Sequence, residues 1–210
     1  MARMHFHMWQ TRQEFTTLCD EIKQSGTLPL YLGFKDTWTC LAPWNALAVG
    51  LTDSDTCNQV NMGNTTFSDT YGPVAEKMRA LLDYAEKNPY AYGYNDACTA
   101  FARGETAMYP IGSYAIPQIK SVNPDMNIGS FTFPANDEES DNVLNSGIDF
   151  QDHHYPSEMS VDAMVQTFLL DTSDNAQEKL LKKFDSDWKR YNRDLIRKVQ
   201  DYQKEKEEQL

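Results

Sequence analysis

Three features of the sequence predict an α/β fold with a largely parallel sheet flanked by helices. Helical and extended patterns alternate as far as Phe150, which suits helices laid on a parallel sheet. The chain has 210 residues, 40% hydrophobic and 24% charged, enough to bury one sizeable core. Its last part repeats large apolar residues at threes and fours and reads as one long helix.

Taken in order, "TRQEFTTLCDEIKQSG" places Thr11 three residues ahead of Glu14, a capping-box pattern. Phe15, Leu18, Cys19 and Ile22 follow at helical spacing, and Gly26 stops the helix. The apolar run from Leu28 to Phe34 predicts a buried strand. "KDTWTCLAPWNALAVGL" begins as a loop and turns helical. In "YGPVAEKMRALLDYAEKN", Val74, Met78, Leu81, Leu82 and Ala85 share a stripe that ends at Asn88-Pro89. "NDACTAFARG" predicts a short helix capped by Asn95 or Asp96 and stopped by Gly104.

"GETAMYPIGSYAIPQI" then reads as strand, Gly-Ser turn and helix start, with Tyr114 at the junction. "MNIGSFTF" and "VLNSGIDF" are expected to be strands, separated by the acidic loop "PANDEESDN". From Asn175 onward, Leu181, Phe184, Trp188, Tyr191, Leu195, Val199 and Tyr202 form a continuous stripe. That many large aromatics favour packing on the sheet over a coiled-coil dimer.

Composition narrows the function. A formal net charge of −12 repels phosphate and anionic lipid, so nucleic acid and acidic membranes are poor partners. Cys19, Cys40, Cys57 and Cys98 show no C-x-x-C pair and no zinc spacing, and read as small core residues; the sequence leaves a disulfide between two of them open. No apolar stretch reaches the roughly 20 residues that span a bilayer. "MARMHFHMWQ" lacks the apolar core of a secretory signal, so the chain as written is expected in the cytoplasm. Its His5 and His7 are expected on an opening strand rather than on a metal. Catalytic and nucleotide-binding signatures such as G-x-S-x-G, H-E-x-x-H, the P-loop and the dinucleotide glycine fingerprint do not occur, and no cofactor is expected.

The pair "FARGETAMYPIGSYAIPQI" and "NPDMNIGSFTFP" resembles the signature stretch of the extracellular solute-binding proteins of sugar ABC transporters, the group that includes maltose-binding protein. "TRQEFTTLCDEIKQSGTLPLYLGFKDTW" and "FDSDWKRYNRDLIRKVQDY" extend the resemblance over most of the chain. It implies a single C-terminal lobe of the type II periplasmic-binding-protein fold, with a βα core over residues 1–150, a join over 151–159 and C-terminal helices over 160–210. The implied role is non-catalytic sugar binding at the cell surface beside an ABC permease, with an N-terminal lobe as the missing partner.

In open α/β sheets, ligands bind at the carboxyl ends of strands. A sugar ring has an apolar face and a rim of hydroxyls, so it needs aromatic platforms edged by polar groups. Tyr114 is expected to be a platform and Ser113 a rim donor. Trp38 is expected to be a second platform or a core residue, with Lys35 and Asp36 as hydroxyl partners, Asp36 being alternatively a loop cap. Trp44, inside a helical pattern, reads as core. Gly147 and Asp149, in "SGIDF", are expected to complete the floor.

Against that family the resemblance implies that the chain corresponds to roughly the second lobe and is shortened after "SGIDF", where "QDHHYPSEMS" leads directly into the terminal helices. A gene remnant and an engineered excision both fit. Adjacent His153 and His154 point to opposite faces of any regular strand, so the join reads as a polar linker rather than a metal site. The competing reading is a lobe kept as an interaction or scaffold domain without sugar binding.

Overall fold

A computed structural model describes residues 11–138 and 155–207. Helix α1 (Arg12–Gln24) opens with the expected capping box: Thr11 Oγ1 accepts from the Glu14 amide, and Glu14 reaches back to the Thr11 amide. Its Phe15 and Cys19 are buried. Strand β1 (Leu28–Leu30) pairs in parallel with β2 (Thr106–Met108), with Leu28 opposite Thr106 and Leu30 opposite Met108. Between them lie α2 (Leu41–Leu51), α3 (Thr56–Met62), α4 (Phe67–Thr70), α5 (Gly72–Ala80) and α6 (Tyr94–Ala102). Beyond β2 come α7 (Ile116–Val122), α8 (Val161–Leu170), α9 (Ala176–Tyr191) and α10 (Arg193–Glu207).

The core is helical more than it is sheet-based. Phe184 of α9 stacks on Trp44 of α2 at 5.7 Å and lies 5.4 Å from Phe67 and 5.5 Å from Tyr71. Trp188, one turn on, meets Phe67 at 5.1 Å and donates its indole N–H to Asn61 Oδ1 at 2.8 Å. The Asp185 carboxylate accepts from the Phe67 amide at 2.7 Å, which fastens the start of α4 to α9. Trp44 is fully buried, as its helical periodicity predicts. All four cysteines are buried free thiols.

Several expectations need correction. The predicted strand from Leu28 to Phe34 holds ladder pairing only through Leu30, because the amides of Leu32 and Gly33 turn to the Glu86 carboxylate. "MNIGSFTF" forms no strand: Met126 and Ile128 pack on the Cys98–Ile119 cluster while Phe131 and Phe133 pack in the main core near Phe15. Its alternation divides side chains between two clusters instead of two faces of a sheet. The stripe after Ala80 tightens into a 3-10 turn (Leu81–Tyr84) well short of Asn88. Helix α6 is capped from Gly93 rather than Asn95 or Asp96, with Asp96 in its first turn accepting from the Gly93 amide.

The long C-terminal helix is two helices, interrupted at Asn192 (φ −102°, ψ 13°). α9 packs on α4, α5 and α8, not on the sheet, because two short strands offer little face to cover. α10 touches α3 and α9 but buries no residue fully, and it leaves Leu195 and Tyr202 exposed. Trp188 is buried while Tyr191, three residues on, is exposed, so the stripe is core only along its first half. The opening segment with His5 and His7, the predicted strand over residues 143–150 and the histidine pair of the join lie outside the described residues.

This division predicts opposite outcomes for two aromatic truncations. Phe184→Ala is expected to cost about 3–5 kcal/mol in urea unfolding, whereas Tyr202→Ala is expected to stay within about 0.5 kcal/mol of the parent.

Candidate functional site

Parallel pairing makes both strands run the same way, so the segments leaving β1 and β2 emerge at the same end of the sheet. The segment leaving β1 is held tightly. Tyr31 donates its amide to Met108 at 3.1 Å, and the next two amides, Leu32 and Gly33, each donate to one oxygen of Glu86 at 2.9 Å. Gly33 has φ +64°, and a Cβ there would stand 3.0 Å from the Gly93 carbonyl oxygen, so only glycine lets the turn close against the start of α6. Gln166 Nε2 donates to the Phe34 carbonyl at 2.5 Å, and the Lys35 amide donates to Tyr92 at 3.0 Å.

Asp36 turns its carboxylate inward. Its Oδ2 accepts the Tyr94 amide at 2.8 Å, satisfying the first donor of α6 from another segment of the chain. A Cβ on Gly93 would collide with that carboxylate. Asp36 is therefore the loop cap that the sequence left as an alternative. Thr37 Oγ1 donates to Asp162 Oδ2 at 2.6 Å, and Thr39 Oγ1 bonds the Gly33 and Asp36 carbonyls at 3.0 and 2.7 Å.

Trp38 emerges from this braced loop 41% exposed. From the other strand the chain passes Tyr109, turns at Ile111 and Gly112, and begins a 3-10 turn at Ser113–Ala115. Tyr114 folds back over Gly112, where any Cβ would strike its ring. It is 57% exposed and its centroid lies 6.2 Å from that of Trp38, the planes tilted by 47°. Tyr94 also meets Trp38, with centroids 5.1 Å apart and planes tilted by 48°. Trp38, Tyr94 and Tyr114 thus make a shelf of aromatic faces at the carboxyl ends of the strands, with Ser113 exposed beside Tyr114 and Lys35 exposed on the Trp38 loop.

Burial pushes the Tyr94 phenol up to about 12 and raises that of Tyr114 as well. Both remain protonated at neutral pH. Tilted aromatic faces edged by a hydroxyl, an ammonium and phenol O–H groups can receive an apolar ring face and hydrogen-bond its substituents. Glu86, buried and bonded to no cation among the described residues, is also held above the usual carboxylate range by desolvation, although the Gly33 and Leu32 amides pull it the other way.

Trp38, Ser113 and Tyr114 are brought to one place, with Lys35 nearby; Gly147 and Asp149 lie outside the described residues. Sequence reasoning missed Tyr94 and Glu86. Tyr94 carried a usable signal, since like Tyr114 it opens a helix after a glycine. Glu86 carried none, because it reads as a polar position at the end of a helical stripe. A separate recess of about 370 Å³ lies between α3, α9 and α10, lined by Val60, Thr66, Lys189, Arg193 and Gln200, and includes none of the candidates.

The multiple sugar-binding protein of Streptococcus mutans is 31% identical over 134 residues, covering 60% of this chain and 32% of the relative. The bacterial solute receptor AcbH, described as having an exclusive preference for β-D-galactopyranose, superposes with a TM-score of 0.66 over 84% of this chain and 64% of its own, at 14% identity. The chain resembles the solute-binding proteins of sugar ABC transporters in sequence and in fold. An uncharacterized ABC transporter extracellular-binding protein of Pyrococcus horikoshii is 22% identical over 129 residues, covering 60% of this chain and 29% of the relative. RafE in complex with raffinose superposes with a TM-score of 0.61 over 84% of this chain and 65% of its own, at 18% identity. No protein-family model matches the chain. The chain spans about a third of the length of the curated relatives it matches.

The cap geometry generates one prediction for the site. Gly93→Ala is expected to force the Asp36 carboxylate off the Tyr94 amide and to cost roughly 1–3 kcal/mol in thermal or urea unfolding. Trp38 fluorescence should change with it, since Trp38 and Asp36 share a loop.

Proposed function

We propose that this chain is a sugar-contacting C-terminal lobe of an extracellular solute-binding protein, non-catalytic, working with an N-terminal lobe and an ABC permease. The observation that carries the reading is the pairing of Trp38 and Tyr114: two exposed rings, each following a different strand, with centroids 6.2 Å apart. The sugar named for AcbH and for RafE supports a carbohydrate ligand without naming the one bound here.

In this reading a sugar ring lays its C–H face on the Trp38 and Tyr114 rings, and Tyr94 packs against Trp38. Ser113 and Lys35 meet ring hydroxyls, the Lys35 ammonium as donor only. Asp36 offers the lone pairs that the Tyr94 amide leaves free, and Gly147 and Asp149 complete the floor. Residues 1–150 carry the shelf, residues 151–159 join it, and residues 160–210 brace it through Asp162 and Gln166. The whole protein acts outside the cell.

A lobe that contacts one face of a sugar binds weakly by itself. If a closed two-lobed site gave micromolar affinity, about −8 kcal/mol, half of its contacts would leave about −4 kcal/mol, near millimolar. The rigid-body cost of association does not halve with the contacts, which weakens the single lobe further.

A second reading, an interaction domain without sugar, draws on the exposed Tyr191, Leu195 and Tyr202. Titration calorimetry of the chain with a panel of galactosides and maltooligosaccharides separates the two. The expected result is a dissociation constant near millimolar for at least one sugar, lost in Trp38→Ala and in Tyr114→Ala. Binding tighter than about ten micromolar would refute the half-site reading, and heat unaffected by both substitutions would move the ligand elsewhere.

A further inference from the structure

We infer that Glu86 is the positioning residue of the aromatic shelf, fixing where Trp38 stands by holding the base of its loop; the inference deepens the sugar-shelf reading and rests on it for its functional meaning. Glu86 is the one charged residue in the buried class among the described residues, at 8% exposure. A buried carboxylate is costly unless specific partners offset the lost water. Its partners are two successive amides, Leu32 on Oε2 and Gly33 on Oε1.

Those are the amides that follow the last bond from β1's segment to β2, the Tyr31 amide on Met108. Two oxygens on consecutive amides set both the position and the twist of the chain there. The Gly33 carbonyl, on the peptide unit next to the last one that Glu86 holds, then accepts from Thr39 Oγ1, so the loop that carries Trp38 closes back on Gly33, whose amide Glu86 anchors. From there the Lys35 amide reaches the Tyr92 carbonyl, and Asp36 caps Tyr94, whose ring lies 5.1 Å from Trp38. The groups that act on this carboxylate are backbone amides, so its hydrogen bonds fix the path of the chain itself.

Two phenols face Glu86: Tyr31, on the segment leaving β1, and Tyr109, on the segment leaving β2, are both raised chiefly by burial, with Glu86 adding to the shift. Asp83 and Lys87 beside it in sequence are exposed. On α1, Lys23 donates to the Asp83 carbonyl and Asp20 accepts from Tyr84, so neither engages Glu86. Asp36 lies on the Trp38 loop itself.

The test follows Trp38 by emission and acrylamide quenching, subtracting a Trp38→Phe background in each variant to remove the other tryptophans. Glu86→Ala and Glu86→Gln are measured in the full chain, with thermal melts to confirm folding; if the alanine variant does not fold, the glutamine variant carries the test. The expected result is a red-shifted, more readily quenched Trp38 in Glu86→Ala and a smaller change in Glu86→Gln, which keeps one acceptor oxygen. Parent quenching should also titrate in mild acid, above the usual carboxylate range. That profile should vanish in Glu86→Gln and persist in Asp36→Asn.

Folded variants with unchanged Trp38 signals and an unchanged pH profile would overturn the positioning role. Where the parent binds a sugar measurably, Glu86→Gln should weaken it by about tenfold. A parent that binds no sugar but shows the Trp38 changes would overturn the sugar reading and leave the positioning role standing.

Discussion

Parallel pairing of β1 and β2 is the constraint on which the shelf depends. Residues 31–38 and 109–114 are far apart in sequence, and each would be an ordinary loop alone. Because the two strands run the same way, both loops leave at one end, and Trp38 and Tyr114 come within ring contact. An antiparallel pair would have sent them to opposite ends. The ladder is short, so the loops are braced by side chains: Glu86 beneath the first, the Gly112 turn beneath the second.

Most of the molecule's cohesion lies away from this edge. The rings of Trp44, Phe67, Tyr71, Phe184 and Trp188 pack α2, α4 and α9 into one body, and Tyr155 joins it through a 2.9 Å hydroxyl contact with Tyr71. Rings at these separations add directional attraction to the area they bury. α8 links this body to the shelf, since it packs on the 3-10 turn around Trp38 and supplies Asp162 and Gln166 to that loop. The site edge is thereby seated on the rigid part of the fold.

The charge distribution divides labour in the same way. Acidic groups outnumber basic ones and disfavour anionic partners, which leaves neutral and cationic ligands open. Asp36, Asp185 and Glu86 are carboxylates directed at backbone amides rather than at solvent or cations. In this chain, carboxylates near the site serve mainly to close turns and helix starts.

Local chemistry was legible in the sequence. The Thr11 capping box, the helical stripe of Val74 and Met78, the buried Trp44 and the strand-to-helix junction at Tyr114 all follow from rules that act within a few residues. The α/β class followed from the same patterns, and the Tyr114 ring is exposed at that junction. What those patterns could not carry was choice of partner. The stripe from Leu181 to Tyr202 looks uniform, yet its first half meets α4 and α5 and its second half meets little, because a repeat records an apolar face and not what covers it. Alternation in "MNIGSFTF" was equally silent about whether a ladder partner existed. The Glu86 anchor, the choice of the Tyr94 amide as the partner of Asp36 and the meeting of Tyr94 with Trp38 were decided by the tertiary structure: each acts on a backbone group or ring dozens of residues away, and only the folded chain brings such groups within hydrogen-bonding or ring-contact distance.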